Sequence, residues 1–165
     1  MATENAYTLN VSTPSDTEIQ MVRSFDAPRD VVFKAFIDPE IVPKWWGQRN
    51  STTMVDKLEP RAGGEWRFVQ HLPDGAEYGF HGEFREGTLH ELIIWTFEFE
   101  GTPGHVVVET MRFEEANGVT TITSTSVFDT VEERDGMLNS GMEAGAAESY
   151  DRLDELLATQ LPTTA

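Results

Sequence analysis

A chain of 165 residues that sets 29 acids against 12 Lys and Arg has a net charge of −17, a field that repels nucleic-acid phosphates and anionic lipid surfaces, so neither is expected as a partner. The absence of cysteine removes disulfides, thiolate nucleophiles and cysteine metal ligands, and it agrees with a reducing cytoplasm. This length suits one domain with its own core, and 10 Phe, 4 Trp and 3 Tyr must fill that core, line a cavity, or both.

The opening MATENAYTLN has neither a basic nor an apolar signal region, and no apolar run approaches the ~20 residues that span a bilayer. Residues 1–16 are polar and read as a flexible tail with room for a short strand within 7–11; a single domain over 17–160 and a second tail at 161–165 complete the expected organisation. Ile19, Met21, Arg23 and Phe25 alternate with Glu18, Gln20, Val22 and Ser24, the pattern of a first strand. Asp26-Ala27-Pro28 then enters a helix, with Asp26 or Ala27 at its cap and Val31, Val32, Ala35 and Phe36 at helical spacing. Asp38-Pro39 opens a second short helix carrying Ile41, Val42, Trp45 and Trp46, which Gly47 ends.

Six strands are predicted next, over 53–58, 65–72, 77–85, 91–100, 106–114 and 119–128, divided by Gly63-Gly64, Pro73-Asp74-Gly75, Gly101–Gly104 and Asn117-Gly118. Asn117-Gly118 suits a type I′ hairpin because both residues tolerate positive φ, and short connections make neighbouring strands antiparallel. Thr130 and Glu133 have the spacing of a capping box. After a break at 139–141, a long helix runs from Met142 to about residue 159, with Met142, Gly145, Ala146, Ser149, Leu153, Leu156 and Leu157 on one face and acids on the other.

The order strand, two short helices, six strands, long helix predicts an α+β fold: a curved antiparallel sheet of six to seven strands wrapped around the C-terminal helix. Strand parity names the side chains that face that helix and are candidate ligand-binding residues. Trp66 and Phe68 share a face with Gln70, and Tyr78, Phe80 and Phe84 share one on the next strand. Trp95 and Phe97, flanked by Ile93 and Phe99, continue the wall to Met111 and Phe113. Met142, Gly145 and Ser149 oppose them from the helix, with Tyr78, Gln70, Ser124 and Ser126 as polar groups able to orient a ligand. A plainly packed aromatic core is the competing reading of the same parity.

The catalytic signals are sparse. His71, His81, His90 and His105 show no metal-ligand spacing, and parity puts His71 and His81 opposite the aromatic face. Asp74, Glu77, Glu83 and Glu109 are candidate general bases should an apolar pocket raise their pKa, but none stands out among so many acids. With no nucleophile elbow, phosphate loop or dinucleotide fingerprint, no catalytic residue, metal or cofactor is assigned.

Four segments carry a family resemblance. Phe25-Asp26-Ala27-Pro28-Arg29 with Val32-Phe33, Asp38-Pro39 with Trp45-Trp46-Gly47, Gly63-Gly64-Glu65-Trp66-Arg67-Phe68, and Gly141 through Gly145, Ser149, Asp151-Arg152-Leu153 follow in register. Over residues 17–158 the chain resembles the heat-shock-protein-90 ATPase activator homologues of the SRPBCC (START/birch-pollen-allergen-like) superfamily. The resemblance implies a helix-grip fold. It also implies, in decreasing order, a binder of a small hydrophobic molecule (a lipid, polyketide or flavonoid), a polyketide cyclase- or hydrolase-like enzyme, and a stress-related domain that interacts with a chaperone. Strand edges leave room for a homodimer, and a cytoplasmic location is expected.

Overall fold

The computed structural model describes residues 7–159, so the outer part of the first expected tail, 1–6, the last residue of the expected domain, 160, and the whole second tail, 161–165, lie outside the described residues. The chain runs through β1 (Asn10–Ser12), β2 (Glu18–Phe25), α1 (Arg29–Ile37), α2 (Val42–Trp45), β3 (Thr52–Leu58) and β4 (Glu65–His71). It continues through β5 (Glu77–Thr88), β6 (Leu92–Phe99), β7 (Val107–Ala116), β8 (Val119–Val127), α3 (Val131–Leu138) and α4 (Met142–Thr159). All strands join one antiparallel sheet in the order β1-β2-β8-β7-β6-β5-β4-β3. The two short helices carry the chain from β2, near one edge, to β3 at the other, and α4 lies in the concavity: the helix-grip arrangement.

Three details differ from the sequence reading. The sheet has eight strands, because Asn10–Ser12 in the expected tail pairs with Gln20–Val22 and closes the edge of β2. The first helix is capped by Pro28, with no side-chain bond from Asp26; the carboxylate of Glu115, far away in sequence, accepts the Arg29 N–H at 2.8 Å. The second helix is a single turn, since the Asp38 carboxylate accepts the Glu40 N–H and holds 38–41 as a turn.

The larger of two apolar cores fills one end of the sheet. Phe25, Phe33, Phe36, Trp45, Trp66, Phe68, Phe84, Phe113 and Ile122 form the main core with Tyr150, Leu153, Leu156 and Leu157 of the C-terminal half of α4. Trp66 organises this end. Its ring stacks on Trp95 at 4.4 Å, and its indole N–H donates to the Thr96 carbonyl at 3.0 Å, crossing over the intervening strand β5. Gly82, the β5 partner of Trp66, makes that crossing feasible: a Cβ there would lie 1.8 Å from the Thr96 oxygen and 2.6 Å from the indole nitrogen.

Gly82→Ala is therefore expected to destabilise the protein by about 3 kcal/mol or more, as overpacking and the loss of a buried hydrogen bond combine. Trp66→Phe, which loses the bond but keeps most of the ring, should cost about 1–2 kcal/mol. Urea unfolding of both variants measures the difference; equal costs would mean the glycine has no special part.

Candidate functional site

The N-terminal half of α4, where Met142 and Ala146 pack against Ile19, Met21, Val107 and Phe128, has an incomplete floor beneath it. A cavity of about 770 Å³ lies between it and the open end of the sheet, within the range of small-molecule sites. Tyr78 and Phe80 of β5, Trp95, Phe97 and Phe99 of β6, and Val107, Glu109 and Met111 of β7 form one wall. Trp45, Trp46 and Gln70 close one side, and Met21, Ser126 and Phe128 the other. Met142, Gly145, Ala146, Ser149 and Tyr150 supply the roof from α4, while Thr102, His105, Glu133, Gly136, Met137 and Ser140 surround the mouth.

Of the residues nominated from sequence, Gln70, Tyr78, Phe80, Trp95, Phe97, Met111, Met142, Gly145 and Ser149 meet around this cavity. Trp66, Phe68, Phe84 and Phe113 do not; each is about 1% exposed within the solid core. Parity identifies the concave face correctly for all of them, but it cannot say where along a strand the face stops being filled. Phe113, for example, is covered by Phe33 and Phe36 of α1, at 4.8 and 5.3 Å. Ser124 is likewise buried outside the lining, whereas Ser126 reaches it.

A polar clamp holds α4 in place above the cavity. Ser149 Oγ donates to the Trp45 carbonyl at 3.2 Å and accepts the Gly47 N–H at 3.1 Å. Arg152 donates to the carbonyls of Lys44, Gly47 and Gln48 at 3.0–3.1 Å, and Glu148 accepts the Arg49 N–H at 2.8 Å. Gly47 is required at the centre of this loop: its φ is +103°, and a Cβ would lie 1.9 Å from the Gln70 amide nitrogen. At the mouth, His105 of the β6–β7 loop bonds Glu133 of α3, so Glu133 does not complete the capping box; only the Thr130 hydroxyl does its part, accepting the Glu133 N–H at 3.1 Å.

Among the described residues, one carboxyl stands inside the cavity away from its mouth. Glu109 Oε1 accepts the Trp95 indole N–H at 2.8 Å, and Oε2 accepts the Ser126 hydroxyl at 3.2 Å. Trp95 and Ser126 are its register partners on the two flanking strands. Its remaining accessible area faces the cavity, and protein surrounds it otherwise. Burial pushes the carboxyl pKa up, and donation from Trp95 and the Ser126 hydroxyl only partly opposes this. Tyr150, in the roof, is shifted upward by burial and by the charge of Glu109. The other nominated acids, Asp74, Glu77 and Glu83, are exposed. Among the described residues no group of three His, Asp or Glu converges as metal ligands would, and no helix is long and apolar enough to cross a membrane.

The family model described as "Activator of Hsp90 ATPase homolog 1-like protein" matches residues 26–158. No curated protein matches the chain. Among solved structures, a Rhodobacter sphaeroides protein superposes with a TM-score of 0.86 at 24% identity, covering 92% of this chain and 98% of that one. Protein Ms6760 of Mycobacterium smegmatis gives 0.83 at 23% identity, covering 94% and 99%. DynU16, described as a protein in the dynemicin biosynthetic locus, gives 0.69 at 22%, covering 92% of this chain but 51% of its own. At these identities the likeness establishes the shared fold.

Two outcomes are expected. Arg152→Ala, which strands three carbonyls, should cost roughly 2–3 kcal/mol in urea unfolding. For Glu109→Gln the sign follows from linkage: a carboxyl whose folded-state pKa exceeds its unfolded value destabilises increasingly as pH rises from the unfolded pKa through the folded one. The Gln variant should thus be more stable than the parent at about pH 8 and lose that advantage below about pH 4, where both states of the parent are protonated. An advantage that does not change with pH would contradict the buried-carboxyl assignment.

Proposed function

Because the chain belongs to the family of Activator of Hsp90 ATPase homolog 1-like proteins, we propose that it binds a small hydrophobic molecule, of lipid, polyketide or flavonoid type, between the sheet and the N-terminal half of α4. The observation that carries this reading is the cavity's emptiness beneath a helix residue that could readily have filled it. Gly145 has no positive φ, and a Cβ there would meet nothing closer than the Gln48 amide at 3.9 Å. Glycine within a helix costs about 1 kcal/mol relative to alanine, so neither packing nor backbone geometry favours it here. Its contribution is space for an occupant.

Phe97, Phe80, Trp46 and Met142 would bury the apolar body of such a molecule, with Gln70, Tyr78 and Ser126 placed to orient its polar atoms. Glu109 supports a second reading, a cyclase- or hydrolase-like enzyme, because an apolar surrounding that holds a carboxyl near neutrality suits general acid–base work. A ligand turned over by the parent but only bound by Glu109→Gln would favour that reading.

The test of binding is a thermal-shift screen with lipophilic compounds against the parent and Gly145→Leu. A ligand at about 100-fold its Kd should stabilise the parent by about 2.7 kcal/mol, or roughly 5–10 °C. Gly145→Leu, whose side chain enters the cavity, should keep or raise the ligand-free Tm and lose the shift. A panel without any stabilising compound, or a shift that survives in Gly145→Leu, would overturn the reading.

A further inference from the structure

The charges around the cavity are one-sided. Among the described residues no Lys or Arg side chain lines it; its formally charged lining residues are Glu109 inside and Glu133 at the mouth, the latter engaged with His105. No ion pair reaches Glu109 among the described residues, and its two hydrogen-bond donors, Trp95 and Ser126, are neutral. The nearby cations are engaged elsewhere. Arg23, on β2, is 2% exposed and donates to Asp151 at 3.0 Å, with Asp154 at 3.8 Å. Arg152, on α4, is spent on the carbonyls of the clamp. Among the described residues the carboxylate therefore stands without a counter-ion, in a chamber lined by aromatic rings.

A buried carboxylate is tolerated when it is paired. On this basis, and resting on the binding reading above, we propose that the occupant is a lipophilic amine whose protonated nitrogen pairs with Glu109 while its apolar body lies against Trp95, Phe97 and Tyr150. Each oxygen of Glu109 already accepts one bond, which leaves lone pairs for an N⁺–H donor from the cavity side. Aromatic rings around that position favour a cation over a neutral group of the same shape. The net charge of −17 raises the local concentration of cations at the mouth.

Proton linkage separates this from the alternative occupant, a neutral molecule whose carbonyl would accept a hydrogen bond from protonated Glu109. The groups facing Glu109 are Trp95 on β6, Ser124 and Ser126 on β8 and Tyr150 on α4, with Arg23 behind them on β2 and the His105–Glu133 pair at the mouth. The amine binds the ionised carboxylate, whose population grows with pH. The carbonyl binds the acid, whose population falls. The two ligand classes thus have opposite pH slopes.

The experiment is calorimetric titration of the parent with 6-phenylhexylamine, 6-phenylhexanol and a phenylalkyl ketone of equal length at several values between about pH 5 and pH 8. The amine should bind at least about tenfold more tightly than either neutral compound at the upper end, with affinity rising as pH rises. Glu109→Gln should abolish that preference and its slope, whereas the slope should persist in His105→Gln. Neutral compounds binding as well as the amine, or an amine slope that disappears in His105→Gln, would overturn the proposal and leave the cavity reading standing. Failure of all three compounds to bind would overturn both.

Discussion

The attachment of α4 to the loop that follows α2 governs the rest of the site. A helix lying in a sheet's concavity is ordinarily held by the apolar side chains beneath it, and the C-terminal half of α4 obeys that rule through Leu153, Leu156 and Leu157. Its N-terminal half borders the cavity, and there Met142 and Ala146 pack against the smaller core of Ile19, Met21, Val107 and Phe128. At mid-helix Ser149 and Arg152 grip the backbone of 44–48 from the side, and Arg23 adds an ion pair to Asp151 from β2. Hydrogen bonds to charged donors contribute about 1.5–3 kcal/mol each, enough to replace part of the packing that an open cavity forgoes. Because the grip is lateral, its hydrogen bonds need nothing in the space below.

This arrangement also accounts for two of the sequence signals. Trp45-Trp46-Gly47 and the Ser149–Leu153 stretch are more than a hundred residues apart, yet they form one contact: the hydroxyl and guanidinium of the second bind the main chain of the first. Alternation, turn chemistry and these stretches made the curved sheet and its helix legible before any coordinates. The Asn117-Gly118 turn lies at positive φ at both residues, as a tight hairpin between β7 and β8 requires. What stayed illegible depended on distant partners. Glu115 caps α1 in place of Asp26, and Asn10–Ser12 becomes a strand only because β2 presents an unpaired edge.

For the cavity, parity selected the right face and could not see its boundary. Trp66 and Trp95 face the same way and stack on one another, yet one is sealed in the core and the other borders open space. The difference arises from α1 and α2, which cap one end of the concavity and stop short of the other. The lining residues that sequence reasoning left unnamed follow from the same geometry: Trp45 and Trp46 arrive from α2 and the residue after it, and His105 and Glu133 from elements meeting at the mouth.

The two faces of the sheet treat carboxylates in opposite ways, and this separates Glu109 from the other acids more sharply than composition could. On the outer face Glu100 is ringed by Arg67 at 2.8 Å and His81 at 2.8 Å, and the Arg67 guanidinium pulls its carboxyl down to about 2. On the inner face Glu109 has only an indole and a hydroxyl, and burial drives it the other way. The outer arrangement is self-sufficient, each charge being answered within the protein. The inner one is not, since a desolvated carboxyl must take up a proton or find a partner. A protein of this charge has acids to spare at its surface, so the functional weight of any one of them lies in what surrounds it. Glu109 is set apart by an aromatic chamber without a cation, under a roof held open from the side.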